Sequence, residues 1–225
     1  MSDRLRLAVF DCDGTLVDSQ HSIYAALCAA CELYKFPTPT RDVARRVVGL
    51  PLLDAIARVV PDAGAEDLEN LRQAYSASFF ALRQSGGLQE PLFPGTEEGL
   101  RAFDDAGWLL GVATGKSRRG LLATLGGHGL LDRFVTLQTS DSVPAGKPAP
   151  DMLLAAMAEA GTNPEDTVMI GDTTFDVEMA VNAGVVAIGV AWGYHNGNEL
   201  IEAGAREVVE TFGDLARVVG ETWET

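Results

Sequence analysis

The chain has 225 residues, of which 47% are hydrophobic and 22% charged, and its formal net charge is −15. This composition is typical of a globular protein with a full core and argues against a disordered chain. The negative charge argues against binding to nucleic acid or anionic membranes, because both need basic patches. We expect neither a signal peptide nor a membrane span, and three cysteines do not make a disulfide framework in a chain of this length. The composition therefore indicates a cytoplasmic protein.

The first predicted strand, residues 7–10, is followed by two aspartates one residue apart, Asp11 and Asp13. Side chains alternate between the two faces of a strand, so both carboxylates should point the same way at its carboxyl end. Open α/β sheets bind their ligands at that end. Gly14 allows a close backbone approach or a positive φ, and Thr15 adds a hydroxyl and an N–H. Taken alone, this segment is equally consistent with a solvated Asp-Gly turn.

Residues 16–90 contain no convincing strand and instead carry apolar side chains at helical spacing. The helical segments are residues 23–34, 41–48, 52–60 and 68–82, with prolines and glycines between and after them. This pattern predicts a bundle of about four helices, inserted directly after the first strand.

From residue 91 the pattern changes to short apolar strands that alternate with helices. The predicted strands are residues 108–113, 134–137, 167–170, 185–190 and 207–209. Repeated strand–helix units predict a parallel sheet with right-handed crossovers. The predicted fold class is therefore α/β, with a Rossmann-like parallel-sheet core sandwiched by helices (residues 1–15 and 91–225) and a small helical cap domain (residues 16–90).

Three further polar segments follow predicted strands. Residues 114–116, Thr-Gly-Lys, open a helix, where free N–H groups and the positive helix end can hold phosphate oxygens. Lys147 lies at the next strand-to-helix junction. Asp172 ends a later strand and Asp176 lies one turn beyond it, and such hard oxygen ligands suit Mg²⁺. Each segment alone has an ordinary explanation as a helix cap or a solvated charge, but together they indicate an enzyme site.

The four motifs, in this order, resemble the haloacid dehalogenase-like superfamily, specifically its phosphatase branch with a helical cap inserted after the first strand. The DxDGT pattern of residues 11–15, followed by Leu-Val-Asp-Ser, is highly specific, and the resemblance covers essentially the whole chain. The chain looks most similar to phosphoglycolate phosphatases. The resemblance implies Mg²⁺-dependent hydrolysis of small phosphomonoesters, either phosphoglycolate-like compounds or sugar phosphates, through an aspartyl-phosphate.

The resemblance also implies a role for each acidic residue. Asp11 is the expected nucleophile, and Asp13 is expected to protonate the leaving oxygen and then to deprotonate the attacking water. Mg²⁺ is expected on Asp11, on Asp172 and on the backbone carbonyl of Asp13. Asp176 is expected either to reach the metal, directly or through water, or to orient Lys147.

The remaining expected contacts are to the phosphate and to the rest of the substrate. The phosphate oxygens are expected to lie against Gly14, Thr15, Thr114, Gly115, Lys116 and Lys147. In the cap, the expected substrate contacts are Arg45, Arg46 and the bend at residues 49–51. The expected partner is a small phosphorylated metabolite, and the protein is expected to be a monomer or a homodimer.

Four other activities fit parts of this pattern. Relatives that displace halide have no aspartate at the position of Asp13, so its presence favours phosphoryl chemistry. Phosphonate cleavage requires a cap lysine for a Schiff base, and Lys35 is the only lysine in the predicted cap. A sugar phosphomutase similar to β-phosphoglucomutase, and a non-catalytic module that binds phosphometabolites, both stay open on the sequence alone.

Overall fold

A computed structural model describes residues 4–223 of the chain and shows one sheet of six parallel strands. The strands are β1 (Arg6–Phe10), β2 (Trp108–Thr114), β3 (Phe134–Thr139), β4 (Thr167–Gly171), β5 (Val186–Val190) and β6 (Glu207–Val209). Their order across the sheet is β3-β2-β1-β4-β5-β6. The predicted α/β class and parallel sheet are therefore confirmed.

Five α-helices lie between β1 and β2, the first four of them in the inserted segment, and five more follow β2 in the described chain. The first four are α1 (Gln20–Leu33), α2 (Arg41–Arg45), α3 (Leu52–Val59) and α4 (Ala65–Gln84). The others are α5 (Thr96–Asp105), α6 (Arg118–Gly127), α7 (Asp151–Ala160), α8 (Thr174–Ala183), α9 (Gly197–Ala203) and α10 (Phe212–Trp223). None of the helices within residues 4–223 has the length and apolar composition needed to cross a membrane.

The sheet is buried on both faces, as parallel sheets generally are. In β1, Leu7 and Val9 join one apolar cluster, while Ala8 and Phe10 join the cluster on the opposite face. Side chains of α7, α8 and α9 complete the first cluster, and those of α5, α6 and α10 complete the second. Successive side chains of the all-apolar strand β1 thus face opposite sides of the sheet, and helices pack on both sides, which gives three layers.

The inserted helices have an apolar core of their own, in which Leu27, Ile56 and Leu71 bring together α1, α3 and α4. The two linkers to this cap run side by side, with Val17 bridged to Leu92. Leu16 and Val17 are buried with the sheet core. By packing, therefore, the sheet domain extends slightly beyond the predicted boundary at residue 15.

The strand order reverses direction between β1 and β4, and this reversal determines where a site can form. Connections from β1 lead towards β2 and β3 on one side, whereas β4, β5 and β6 lie on the other. Ligands of open α/β sheets bind in the crevice outside the carboxyl ends of the strands at such a point. Asp11 follows β1 and Asp172 follows β4, so both lie in this crevice.

Candidate active site

Three buried carboxylates meet at the carboxyl ends of β1 and β4. Asp11, Asp172 and Asp176 each offer one oxygen, and these oxygens all lie within 4.8 Å of one another. Asp176 reaches the group from the first turn of α8, where its Oδ2 accepts hydrogen bonds from the N–H and hydroxyl of Thr173. The capping interaction fixes this side chain, so the start of the helix also orients a site residue.

Lys147 supplies the positive charge beside this carboxylate group. Its Nζ lies 2.9 Å from Oδ1 of Asp11 and 2.5 Å from Oδ1 of Asp176, and all three side chains are buried. Burial alone would lower the pKa of Lys147, but the attraction of Asp11 and Asp176 outweighs it and raises that pKa above its ordinary value. The lysine therefore stays protonated.

One lysine does not balance three buried carboxylates. Burial raises the pKa of Asp11 to about 7, although the charge of Lys147 acts in the opposite direction. Burial, and then the charges of Asp176 and Asp11, raise the pKa of Asp172 well above its ordinary value. A divalent cation among these oxygens would favour their ionised forms.

The residues present fit Mg²⁺, which prefers oxygen ligands. Oδ2 of Asp11 is buried and has no hydrogen-bond partner among residues 4–223. Gly14, at φ 94°, brings the backbone so close that an added Cβ would lie 2.2 Å from Oδ2 of Asp172. This matches the predicted positive φ and close approach, and only glycine leaves room for the group here.

Asp13 lies outside the carboxylate group and contacts a different lysine. Nζ of Lys116 lies 2.7 and 3.0 Å from its two carboxylate oxygens, and the hydroxyl of Ser19 donates to Oδ1. The side chain of Asp13 is therefore directed away from the predicted metal position, which leaves its backbone carbonyl for the predicted metal role. That Lys116 also contacts phosphate stays a prediction, because its charge is already shared between carboxylates.

The second carboxylate on Lys116 is Glu90, a site residue that the sequence analysis missed. Its Oε1 lies 3.0 Å from Nζ of Lys116, and its Oε2 accepts hydrogen bonds from Arg83 and Thr124, each at 3.0 Å. Arg83 belongs to cap helix α4 and Thr124 to core helix α6. Glu90 thus connects the cap, the core and Asp13 through buried polar contacts. A single acid in the linker gives no sequence signal for this arrangement.

A cavity of about 720 Å³ lies between the cap and the sheet domain. Asp13, Thr114 and Gly115 line its inner end, and the bend at residues 49–51 lines it from the cap. That the bend contacts the substrate stays a prediction. A Cβ added to Gly115 would lie 2.5 Å from the backbone oxygen of Leu50. The cap is therefore closed against the loop at residues 114–116.

Arg45 and Arg46 are not among the cavity-lining residues, contrary to the expectation that they contact the substrate. Nη2 of Arg45 donates to the carbonyl of Gly193, and Arg46 forms an exposed ion pair with Glu199. Both arginines thus join the cap to the sheet domain, Arg45 at the loop after β5 and Arg46 at the first turn of α9. Sequence spacing places them on α2 or at its end but does not say which surface that short helix meets.

The segment after β5 also contributes to the site, through its backbone. The N–H of Tyr194 donates to Oδ2 of Asp172 at 2.8 Å, and the hydroxyl of Thr15 donates to Oδ1 at 2.9 Å. Both oxygens of this carboxylate are thereby oriented. Since the Thr15 hydroxyl is used in this way, the contact of this residue with phosphate stays a prediction.

Comparisons with known proteins agree with this fold. The family model for haloacid dehalogenase-like hydrolases matches residues 8–190. A protein of Dickeya dadantii (strain 3937) named "Probable phosphatase IndB" is 38% identical over 213 residues, covering 93% of this chain and 91% of that protein. A phosphoglycolate phosphatase of Vibrio vulnificus (strain YJ016) is 29% identical over 222 residues, or 96% of each chain.

Among solved structures, a hydrolase from Pseudomonas syringae matches with a TM-score of 0.85 at 26% identity, covering 96% of this chain and 98% of that one. The match includes the cap as well as the sheet domain. With a family model over most of its length and a relative 38% identical, the chain belongs to the haloacid dehalogenase-like hydrolase family, which confirms the predicted resemblance.

Proposed function

We propose that this chain is a Mg²⁺-dependent phosphatase that hydrolyses small phosphomonoesters through an aspartyl-phosphate on Asp11. The observation that carries the proposal is the separation of two neighbouring aspartates onto two different lysines. Asp11 lies with Lys147 in the carboxylate group, whereas Asp13 lies with Lys116 at the inner end of the cavity. A nucleophile and a proton carrier need such different surroundings.

Hydrolysis of phosphate esters follows from the family and from the two phosphatases that the chain resembles. Our proposal adds the identity of the metal, the covalent intermediate and the substrate class. In it, Asp11, Asp172 and the backbone carbonyl of Asp13 hold Mg²⁺, and Asp176 orients Lys147. The bound metal would neutralise phosphate charge and help to position the phosphoryl group.

The first half of the reaction transfers the phosphoryl group to the protein. The carboxylate of Asp11 attacks phosphorus while the bond to the ester oxygen breaks. Asp13, ion-paired with Lys116 in the free protein, carries a proton once the phosphate is bound, because a second negative charge beside the phosphate is unfavourable. It gives that proton to the leaving oxygen, so the product departs as a neutral alcohol. Thr114 and the N–H of Gly115 bind the transferring oxygens, because phosphoryl transfer depends mainly on positioning and charge neutralisation.

The second half returns Asp11 to its starting state. Asp13, now a carboxylate beside Lys116, takes a proton from a water molecule, and the resulting hydroxide attacks phosphorus. The bond between phosphorus and the Asp11 oxygen breaks, and inorganic phosphate leaves. Asp13 thereby regains the proton that it gave up, so protons balance over one cycle.

The test is a panel of small phosphate esters, with 2-phosphoglycolate and hexose phosphates among them, assayed for phosphate release with Mg²⁺ or with EDTA. We expect turnover with Mg²⁺, none with EDTA, and none in Asp11→Asn. Metal-independent turnover, or full activity of Asp11→Asn, would overturn the proposal. Isomerised hexose phosphate without phosphate release would favour a phosphomutase, and ligand-induced stabilisation without any turnover would favour a binding module.

A further inference from the structure

The outer part of the cavity is lined mainly by apolar side chains of the cap. Tyr75, Phe79 and Phe80 of α4 contribute three aromatic rings, and Leu27 and Leu50 contribute aliphatic surface. The cavity is continuous with Asp13 at its inner end. A phosphate held at the strand ends would therefore direct the alcohol part of its ester towards this apolar surface.

The cations along the same cavity are largely occupied. Arg83 and Lys116 share Glu90, each at 3.0 Å, and Arg72 is paired at 2.6 Å with an acid one turn earlier on its own helix. Arg119 is exposed to solvent and lies over the ring of Phe80, 4.6 Å from its centre. A carboxylate on the substrate would have to compete with these contacts or bind at a solvated arginine, where attraction is weak.

The volume of the cavity also favours a larger alcohol. Its 720 Å³ lies within the range of roughly 300–1,000 Å³ found for pockets that hold drug-sized ligands. A two-carbon alcohol would leave most of the apolar wall without a partner. Each additional apolar group that fills the space gains binding free energy by leaving water.

Resting on the proposed function, we propose that the preferred substrates are phosphate monoesters of uncharged apolar alcohols, with about four to six carbons or one ring. Esters that carry a carboxylate, such as 2-phosphoglycolate, are the poorer substrates. The apolar wall favours esters whose alcohol part is buried against it. Glu90 occupies Lys116 and Arg83, which a substrate carboxylate would otherwise pair with.

The first test compares kcat/KM for ethyl, butyl and hexyl phosphate with saturating Mg²⁺. Complete burial of one methylene is worth roughly four-fold in binding, so we expect kcat/KM to rise about ten-fold with each pair of methylenes. A series that is flat, or that falls with chain length, would overturn the inference.

The second test uses a pair matched in shape, 2-phosphoglycolate and isobutyl phosphate, in which two methyl groups replace the two carboxylate oxygens. We expect kcat/KM to be at least about ten-fold higher for isobutyl phosphate. A preference for 2-phosphoglycolate would overturn this inference while supporting the proposed function. Absence of turnover with every ester would instead overturn the proposed function itself, and this inference with it.

A cavity variant then tests whether the wall causes the preference. Phe79→Ala is expected to lower the ratio of kcat/KM for hexyl over ethyl phosphate by about ten-fold, and Phe79→Leu by less, because leucine keeps part of the apolar surface. Leu33→Ala is the matched control, since Leu33 is 67% exposed on α1 and does not line the cavity. An unchanged ratio in Phe79→Ala, or an equal fall in the control, would overturn the inference.

Discussion

Replacing Lys116 by methionine would leave two buried carboxylates without the cation that they share. The side chain of Lys116 is 9% exposed, and those of Asp13 and Glu90 are 10% and 7% exposed. Removing one partner of a buried ion pair costs about 3–5 kcal/mol, because the remaining charge is desolvated and uncompensated. We therefore expect Lys116→Met to lower the free energy of unfolding by about that amount at pH 7.

The raised pKa of Lys116 determines the pH at which unfolding of the variants is compared. Burial alone would lower the pKa of Lys116, but the attraction of Asp13 and Glu90 raises it well above 10.5. A raised pKa in the folded state means that the stabilisation is fully present below the unfolded pKa and is lost only as the pH rises through the folded pKa. Urea unfolding at pH 7 therefore measures the whole effect.

A double-mutant cycle separates this effect from general damage to the fold. Glu90→Gln in the Lys116→Met background removes one of the two negative charges that Lys116 contacted, so we expect the double variant to regain about 1–2 kcal/mol relative to Lys116→Met. Arg46→Met is the control: its ion pair with Glu199 is as short, 2.6 Å, but exposed. That control should cost less than about 1 kcal/mol. Additive losses in the cycle, or equal losses in the control, would refute the reasoning.

Three further outcomes are expected. Asp13→Ala should lower kcat by about 10²–10⁴-fold, because it removes the proton carrier. Gly115→Ala should lower kcat/KM strongly, since its Cβ would lie 2.5 Å from the cap backbone. Gly126→Ala on α6 should leave kcat/KM unchanged, because its added Cβ meets nothing within 4 Å in the described chain. Equal activities of the two variants would contradict cap closure. In EDTA, the melting temperature should rise by a few degrees per pH unit as the pH falls from about 7 towards 5. The reason is that the folded pKa of Asp11, about 7, lies above its unfolded value, so Asp11 takes up a proton on folding. Saturating Mg²⁺ should flatten that slope, and an unchanged slope would contradict a metal on this group.

The sequence predicts the fold well because its apolar patterns are strong and local. Every described strand overlaps a predicted one, and β2 and β4 each end within one residue of the predicted end. The meeting of Asp11, Asp172 and Lys147 could also be predicted. The carboxyl ends of neighbouring parallel strands lie at one edge of the sheet, so residues that follow those strands are brought together.

Contacts that depend on how the cap meets the core could not be predicted. Glu90 looks like an ordinary linker acid until α4 and α6 place Arg83 and Thr124 beside it. Arg45 and Arg46 look like substrate contacts, but α2 packs so that Arg45 reaches the loop after β5 and Arg46 reaches α9. In each case the relevant partner is far away in sequence, and helical spacing alone does not select it.

The proposed reaction depends most directly on Asp11 as the group that carries phosphate. The decisive measurement is rapid acid quenching of Asp13→Asn during turnover of radiolabelled substrate with Mg²⁺, followed by mass spectrometry of the labelled peptide. The substrate is an aryl phosphate, whose leaving group departs as an anion, so the first step does not need the Asp13 proton. The variant should retain label, because it cannot activate water for the second step. We expect an acid-stable, base-labile acyl phosphate on Asp11, and no label when Asp11 is replaced by asparagine. Label on another residue, or continued phosphate release from an enzyme that lacks the Asp11 carboxylate, would contradict the account.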